Sequence, residues 1–110
     1  MRRLILPSIM TIALSAGTAA WAADDAAEIA LKNHQFMPQT LTIPAGKQVK
    51  LTVTNEDATP AEFESHDFRV EKVVPGNGKI VVYIGPLQAG TYGFFDDFHE
   101  DTTKGTLVVK

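Results

Sequence analysis

From Glu28 onward, apolar and polar residues alternate almost to the end of the chain. A period of two is the mark of half-buried strands, whereas an amphipathic helix repeats every three to four residues. Glu28-Ile-Ala-Leu-Lys32 places Ile29 and Leu31 on one face, and Thr40-Leu-Thr-Ile43 turns Leu41 and Ile43 inward before Pro44-Ala-Gly46 bends the chain. Gln48-Val-Lys-Leu-Thr-Val-Thr54 predicts a strand that buries Val49, Leu51 and Val53. Asp67-Phe-Arg-Val-Glu71 gives a fourth segment, around Phe68 and Val70. Pro75-Gly-Asn-Gly78 is a turn cluster ahead of the strand Lys79-Ile-Val-Val-Tyr-Ile84. Gly85-Pro-Leu-Gln-Ala-Gly90 then leads into strands over 91–95 and 105–110. Short strands with turn signals at such intervals predict an all-β, Greek-key sandwich of about seven to eight strands.

The first 22 residues follow a different logic. Met1-Arg-Arg is a basic start, residues 4–20 are apolar, and Ala20-Trp21-Ala22 supplies the small-x-small pattern of a cleavage site. We read 1–22 as a signal peptide, 23–110 as one domain with a frayed start over 22–27, and the periplasm as the destination. The full chain carries a formal charge of −3, and loss of Arg2 and Arg3 makes it −5. Such an acidic surface argues against nucleic acid as a partner. The chain has no cysteine, so neither a disulfide nor a thiolate ligand is available.

Gly90-x-Tyr92-x-Phe94-x-Asp96-x-x-His99, followed by Gly105-Thr-Leu-Val-Val109, resembles the metal hairpin of the cupredoxins, G-x-Y-x-F-x-C-x-x-H and then G-x-L-x-V. Asp96 stands at the cysteine position, and no methionine follows His99. Phe36-x-Pro38-x-x-Leu41-x-Ile43-Pro-Ala-Gly46 and Val49-x-Leu51-x-Val53-x-Asn55 are similar to the opening and the third strand of that family. Glu62-Phe-Glu-Ser65 together with Phe95-Asp-Asp-Phe-His99 resembles the cysteine-free, EfeO-type subgroup associated with bacterial iron permeases. The resemblance implies a cupredoxin-like fold, a metal ligand at His99, and iron-uptake components as partners. It also implies that the loop after Asn55 and the loop at 96–100 lie together at one end of the sandwich.

The candidate ligands are His99, Glu64, Glu62, Asp96, Asp97, His66 and His34. Alternation puts Glu62, Glu64 and His66 on one face with Phe63 inward, so a glutamate stands in for the family's first histidine and His66 is a second choice. Each residue also has an ordinary reading. Asp96 and Asp97 suit a hairpin turn, Glu62 and Glu64 suit the solvated face of a strand, and His34 suits the polar turn Lys32-Asn-His-Gln35. Blue copper requires a thiolate, so electron transfer of that kind is excluded on chemical grounds. Carboxylates with one or two imidazoles are harder donors that suit Fe(II), Fe(III), Mn(II), Zn(II) or Cu(II); the resemblance implies iron, and copper(II) remains open through the Irving–Williams order. Three functions follow as expectations: an iron-binding or iron-delivering component, a copper-dependent accessory to Fe(II) oxidation, or an interaction module that has lost its metal. Ser65 beside His66 does not make a nucleophile–His–acid set.

Overall fold

In residues 25–110, the part of the chain that the computed structural model describes, the alternation resolves into nine strands. The expected signal peptide lies outside the described residues. The strands are β1 (Asp25–Lys32), β2 (Gln35–Met37), β3 (Thr40–Ile43), β4 (Val49–Asn55) and β5 (Ala61–Ser65). They continue with β6 (Val70–Val74), β7 (Lys79–Ile84), β8 (Gly90–Asp96) and β9 (Lys104–Val109), with one 3-10 turn, Asp97–His99, between β8 and β9. They form a four-stranded sheet in the order β2-β1-β4-β7 and a five-stranded sheet in the order β3-β9-β8-β5-β6.

The inward residues of the two sheets make a single core. Ile29, Leu31, Val49, Leu51, Val53, Ile80, Val82 and Ile84 come from the first sheet, and Leu41, Ile43, Phe63, Val74, Phe94, Leu107 and Val109 from the second. At the end that carries the candidate ligands, Phe36, Phe63 and Phe94 pack together. Their ring centroids lie 4.9 Å (Phe36–Phe94), 5.3 Å (Phe63–Phe94) and 6.1 Å (Phe36–Phe63) apart, mostly edge to face, the arrangement aromatic quadrupoles favour. Gly105 is needed beneath this trio, because a Cβ there would run into the Phe94 ring. Gly105→Ala should therefore overpack the core and cost about 1–3 kcal/mol, read as a lower midpoint in urea with an unchanged slope.

Two expectations are corrected. The chain does not fray over 25–27: Asp25, Ala26 and Ala27 pair in parallel with Val49, Lys50 and Leu51, so the edge of β4 captures them. The segment at 67–71 is not a strand from its start. Phe68 donates its N–H to Ser65 Oγ at 3.2 Å, Asp67 Oδ2 accepts the Gly93 N–H at 2.7 Å, and Arg69 has φ 56°. These bonds make 66–69 a turn, and pairing resumes only at Val70, opposite Ser65.

Candidate functional site

Antiparallel pairing of β5 with β8 sets Phe63 opposite Asp96 and Glu64 opposite Phe95. Because side chains alternate across a strand, this register sends Phe63 and Asp96 into the sandwich and Glu62 and Glu64 to the outer face. The seven sequence candidates are thereby divided between two places.

Asp96 is wholly buried, yet every lone pair it needs to satisfy finds a donor. Its Oδ1 accepts from the backbone N–H of Glu62 at 2.9 Å and of Phe98 at 3.0 Å, and its Oδ2 lies 3.0 Å from His99 Nδ1. The aspartate thus caps the 3-10 turn, ties it to β5 and fixes the orientation of the His99 ring. With Nδ1 engaged by a carboxylate, Nε2 is the nitrogen left to bind a ligand, as in carboxylate–histidine–metal arrangements.

His34 arrives beside His99 from the other sheet. Lys32 pairs with Gln35, leaving Asn33 and His34 as a two-residue hairpin turn with φ 53° and 56°. Positive φ at both central residues defines the type I′ turn, for which Asn-Gly is the usual pair. Asp57 holds this turn by accepting the N–H of Asn33 at 2.7 Å and of His34 at 2.9 Å. The His34 N–H above all keeps the Asp57 carboxyl below its ordinary range, against the opposing effect of burial; the Asn33 N–H and the charges of His34 and His99 reinforce it. Asp57 is itself placed by Asn55, whose side-chain oxygen accepts the Asp57 N–H at 3.0 Å. The two imidazoles stand 4.3 Å apart, centroid to centroid, tilted by 38°.

On the outer face of the five-stranded sheet, Glu62, Glu64 and Asp97 each offer a carboxylate oxygen, all within 4.8 Å of one another. Among the described residues, this is the one group of three or more potential ligand side chains so closely gathered. Asp97 reaches it because Asp96 points inward and the 3-10 turn throws the next residue out over β5. Desolvation, a hydrogen bond with Glu64, and repulsion from Glu71, Asp97 and Glu64 push the Glu62 carboxyl up from 4.5 to about 7. His66 lies at the edge, its Nε2 3.5 Å from Glu64 Oε2 and its ring 5.2 Å from that of Phe95.

A raised carboxyl pKa has a definite sign. Between about 4.5 and about 7 the folded metal-free protein holds a proton on Glu62 that the unfolded chain does not. This group's contribution to stability therefore falls as pH rises through that window and levels off above it. Thermal unfolding at pH 5, 6, 7 and 8 should show wild type losing stability with rising pH relative to Glu62→Gln, whose amide cannot titrate. Parallel curves for the two proteins would contradict the strain in the cluster.

Sequence reasoning missed Asp57 and Thr103. Thr103 is buried: its Oγ1 donates to the His34 carbonyl at 2.7 Å, its N–H donates to the His99 carbonyl at 2.9 Å, and its carbonyl accepts the Asp96 N–H at 3.0 Å. Both are ordinary polar residues in loops, and only the fold shows what they hold.

A family model described as a cupredoxin-like domain matches residues 4–109. Uncharacterized protein RP394 of Rickettsia prowazekii (strain Madrid E) is 39% identical over 82 residues, covering 74% of this chain and 66% of that protein. The chain thus spans just under two thirds of that relative's length. Auracyanin A, a "blue" copper protein of Chloroflexus aurantiacus, has a TM-score of 0.67 at 18% identity, covering 77% of this chain and 98% of its own. The metal binding domain of the Cu(I) exporting P-type ATPase CopA of Streptococcus pneumoniae D39 has a TM-score of 0.66 at 14% identity, covering 77% and 84%. A purple cupredoxin from Nitrosopumilus maritimus has a TM-score of 0.59 at 23% identity, covering 76% and 99%. At these identities the solved structures speak for a shared sandwich alone.

Proposed function

The chain belongs to the cupredoxin-like domain family, and from that premise we propose that it binds iron in the periplasm and hands it to an iron permease or another uptake component. A blue-copper centre does not fit the donors present. The chain lacks cysteine, and the Asp96 carboxylate at the thiolate position is consumed by three hydrogen bonds. The observation that carries the proposal is the gathering of Glu62, Glu64 and Asp97 within 4.8 Å.

Three carboxylates are hard donors that suit iron far better than they suit Cu(I). Their combined charge neutralises a trivalent ion, and the repulsion that joins desolvation and the Glu64 hydrogen bond in pushing Glu62 up to about 7 is relieved when a cation replaces the proton. The three carboxylates run from the largely buried Glu64 to the exposed Asp97, so water can complete the coordination sphere on the Asp97 side, which suits a protein that gives its ion away. His66 is placed to add a nitrogen donor from the rim. The resemblance to the cysteine-free, permease-associated subgroup supports the choice of partner.

The test is titration of the metal-free protein with an Fe(III) chelate, with anaerobic Fe(II) and with Cu(II). One Fe(III) per chain is expected, with affinity falling at least tenfold, about 1.4 kcal/mol, in Glu64→Gln. Binding should release a proton near neutral pH and weaken as pH drops below about 7, where Glu62 holds its proton. Fe(III) affinity unchanged in Glu64→Gln would refute the site.

A further inference from the structure

We propose that a cavity beside the carboxylate cluster holds the organic part of an iron chelate, and that this chelator is a catechol-type ring carrying one carboxylate. The inference rests on the iron reading and names the form in which the ion reaches Glu62, Glu64 and Asp97.

On the outer face of the five-stranded sheet, strand register lays three unlike side chains in a row. Glu64 of β5 lies opposite Phe95 of β8, and Phe95 lies opposite Lys104 of β9. Neighbouring strands stand roughly 4.8 Å apart, so two spacings separate the carboxylate from the ammonium, with an aromatic ring between them. Beside this row opens a cavity of about 260 Å³, whose lining includes His66, Asp67, Gly93, Phe95, Glu100 and Lys104. The His66 and Phe95 rings are neighbours, 5.2 Å apart, and His66 Nε2 lies 3.5 Å from Glu64 Oε2. The cavity therefore adjoins the carboxylates through His66.

Gly93 is the telling position. It faces outward on β8, where any other residue would send a side chain toward the cavity. Its backbone is not left-handed, and a Cβ there would meet only Asp67 Oδ2, at an ordinary 3.6 Å. Neither conformation nor packing calls for glycine here, whereas an open cavity does.

Size, ring and charge select the ligand. A cavity of about 150 Å³ already takes a benzene ring, so one ring with a carboxylate fits this space. Phe95 and His66 supply aromatic walls for it. Lys104 forms no ion pair among the described residues, and Asp67 Oδ2 is occupied by the Gly93 N–H at 2.7 Å. The ammonium is thus open to a carboxylate at the far end of the ring. Catechol oxygens are hard donors like the carboxylates they would join. The chelator stays on the ion while Glu62, Glu64 and Asp97 take the rest of its sphere.

The test is titration of the metal-free whole protein with the Fe(III) complexes of protocatechuate, catechol and citrate, on wild type, Lys104→Gln and Gly93→Val. Binding is read from the visible charge-transfer band that travels with the protein in gel filtration, and from protein-bound iron for citrate; melting curves check folding. Wild type should bind the protocatechuate complex at least tenfold more tightly than the catechol complex, which lacks the carboxylate. Lys104→Gln should erase that preference, and Gly93→Val should weaken both aryl complexes at least tenfold. Both variants should still take iron from citrate. Equal binding of the two aryl complexes by wild type, or a preference that survives in Lys104→Gln, would overturn the inference, as would undiminished aryl binding in folded Gly93→Val. Failure of the iron reading shows separately, as iron uptake from citrate that is unchanged in Glu64→Gln.

Discussion

Phe63→Ala should lower the stability of the protein by about 3–5 kcal/mol in equilibrium urea unfolding. Phe63 is 1% exposed at the centre of β5 and touches three other rings, those of Phe36, Phe94 and Phe68. Truncation removes both the transfer energy of the ring and its three aromatic contacts, edge-to-face with Phe36 and tilted with Phe68 and Phe94, and the cavity cannot collapse because each neighbouring ring is anchored on a different strand or loop. Phe63 also lies between Glu62 and Glu64 and opposite Asp96. The same change should therefore loosen the carboxylate cluster and weaken iron binding at temperatures where the variant remains folded. A loss below about 1 kcal/mol would mean that the aromatic trio does not support this end of the sandwich.

The second large effect is expected at Asp96. Asp96→Ala strips the acceptor from two part-buried backbone N–H groups, those of Glu62 and Phe98, and the partner from His99 Nδ1. Hydrogen bonds to a charged group contribute about 1.5–3 kcal/mol each, so a total near 3 kcal/mol is expected after partial relaxation. Asp96→Asn tests the charge by itself. Its amide oxygen can still accept from the two N–H groups, so most of the stability should remain, while the His99 tautomer loses its fixed carboxylate. Equal destabilisation by Ala and Asn in thermal unfolding would show that charge, not hydrogen bonding, keeps Asp96 in place.

The sandwich was legible in the sequence because period-two alternation is strong where one face of each strand is buried. Ile29 and Leu31, Leu41 and Ile43, and Val49, Leu51 and Val53 all point inward as their spacing predicts. Strand ends were less legible. Asp25-Ala26-Ala27 has no apolar periodicity of its own and is ordered by backbone pairing with β4, with Ala27 against the core and Asp25 near Lys47. The turn at 66–69 is dictated by Ser65 and Asp67 side chains whose partner, Gly93, is far away in sequence. β2 is only three residues long, too short to announce itself by pattern.

The candidate site was legible residue by residue, yet not in its partition. Alternation placed Glu62 and Glu64 on one face, and the structure adds Asp97 to them. Asp96 and Asp97 are adjacent and chemically identical, so composition gives them the same claim to a metal. One residue of register separates a buried structural carboxylate from an exposed one. His34 read both as a candidate ligand and as a surface turn residue, and its approach to His99 depends on Thr103 and Asp57, whose roles exist only in three dimensions.

The central claim is that iron sits among Glu62, Glu64 and Asp97. The most direct test is a crystal structure of the iron-loaded protein with anomalous diffraction measured on both sides of the iron absorption edge. An anomalous iron peak bonded to oxygens of all three carboxylates is the predicted result. An iron peak at His34 and His99 instead, or none at the carboxylates under saturating iron, would contradict it.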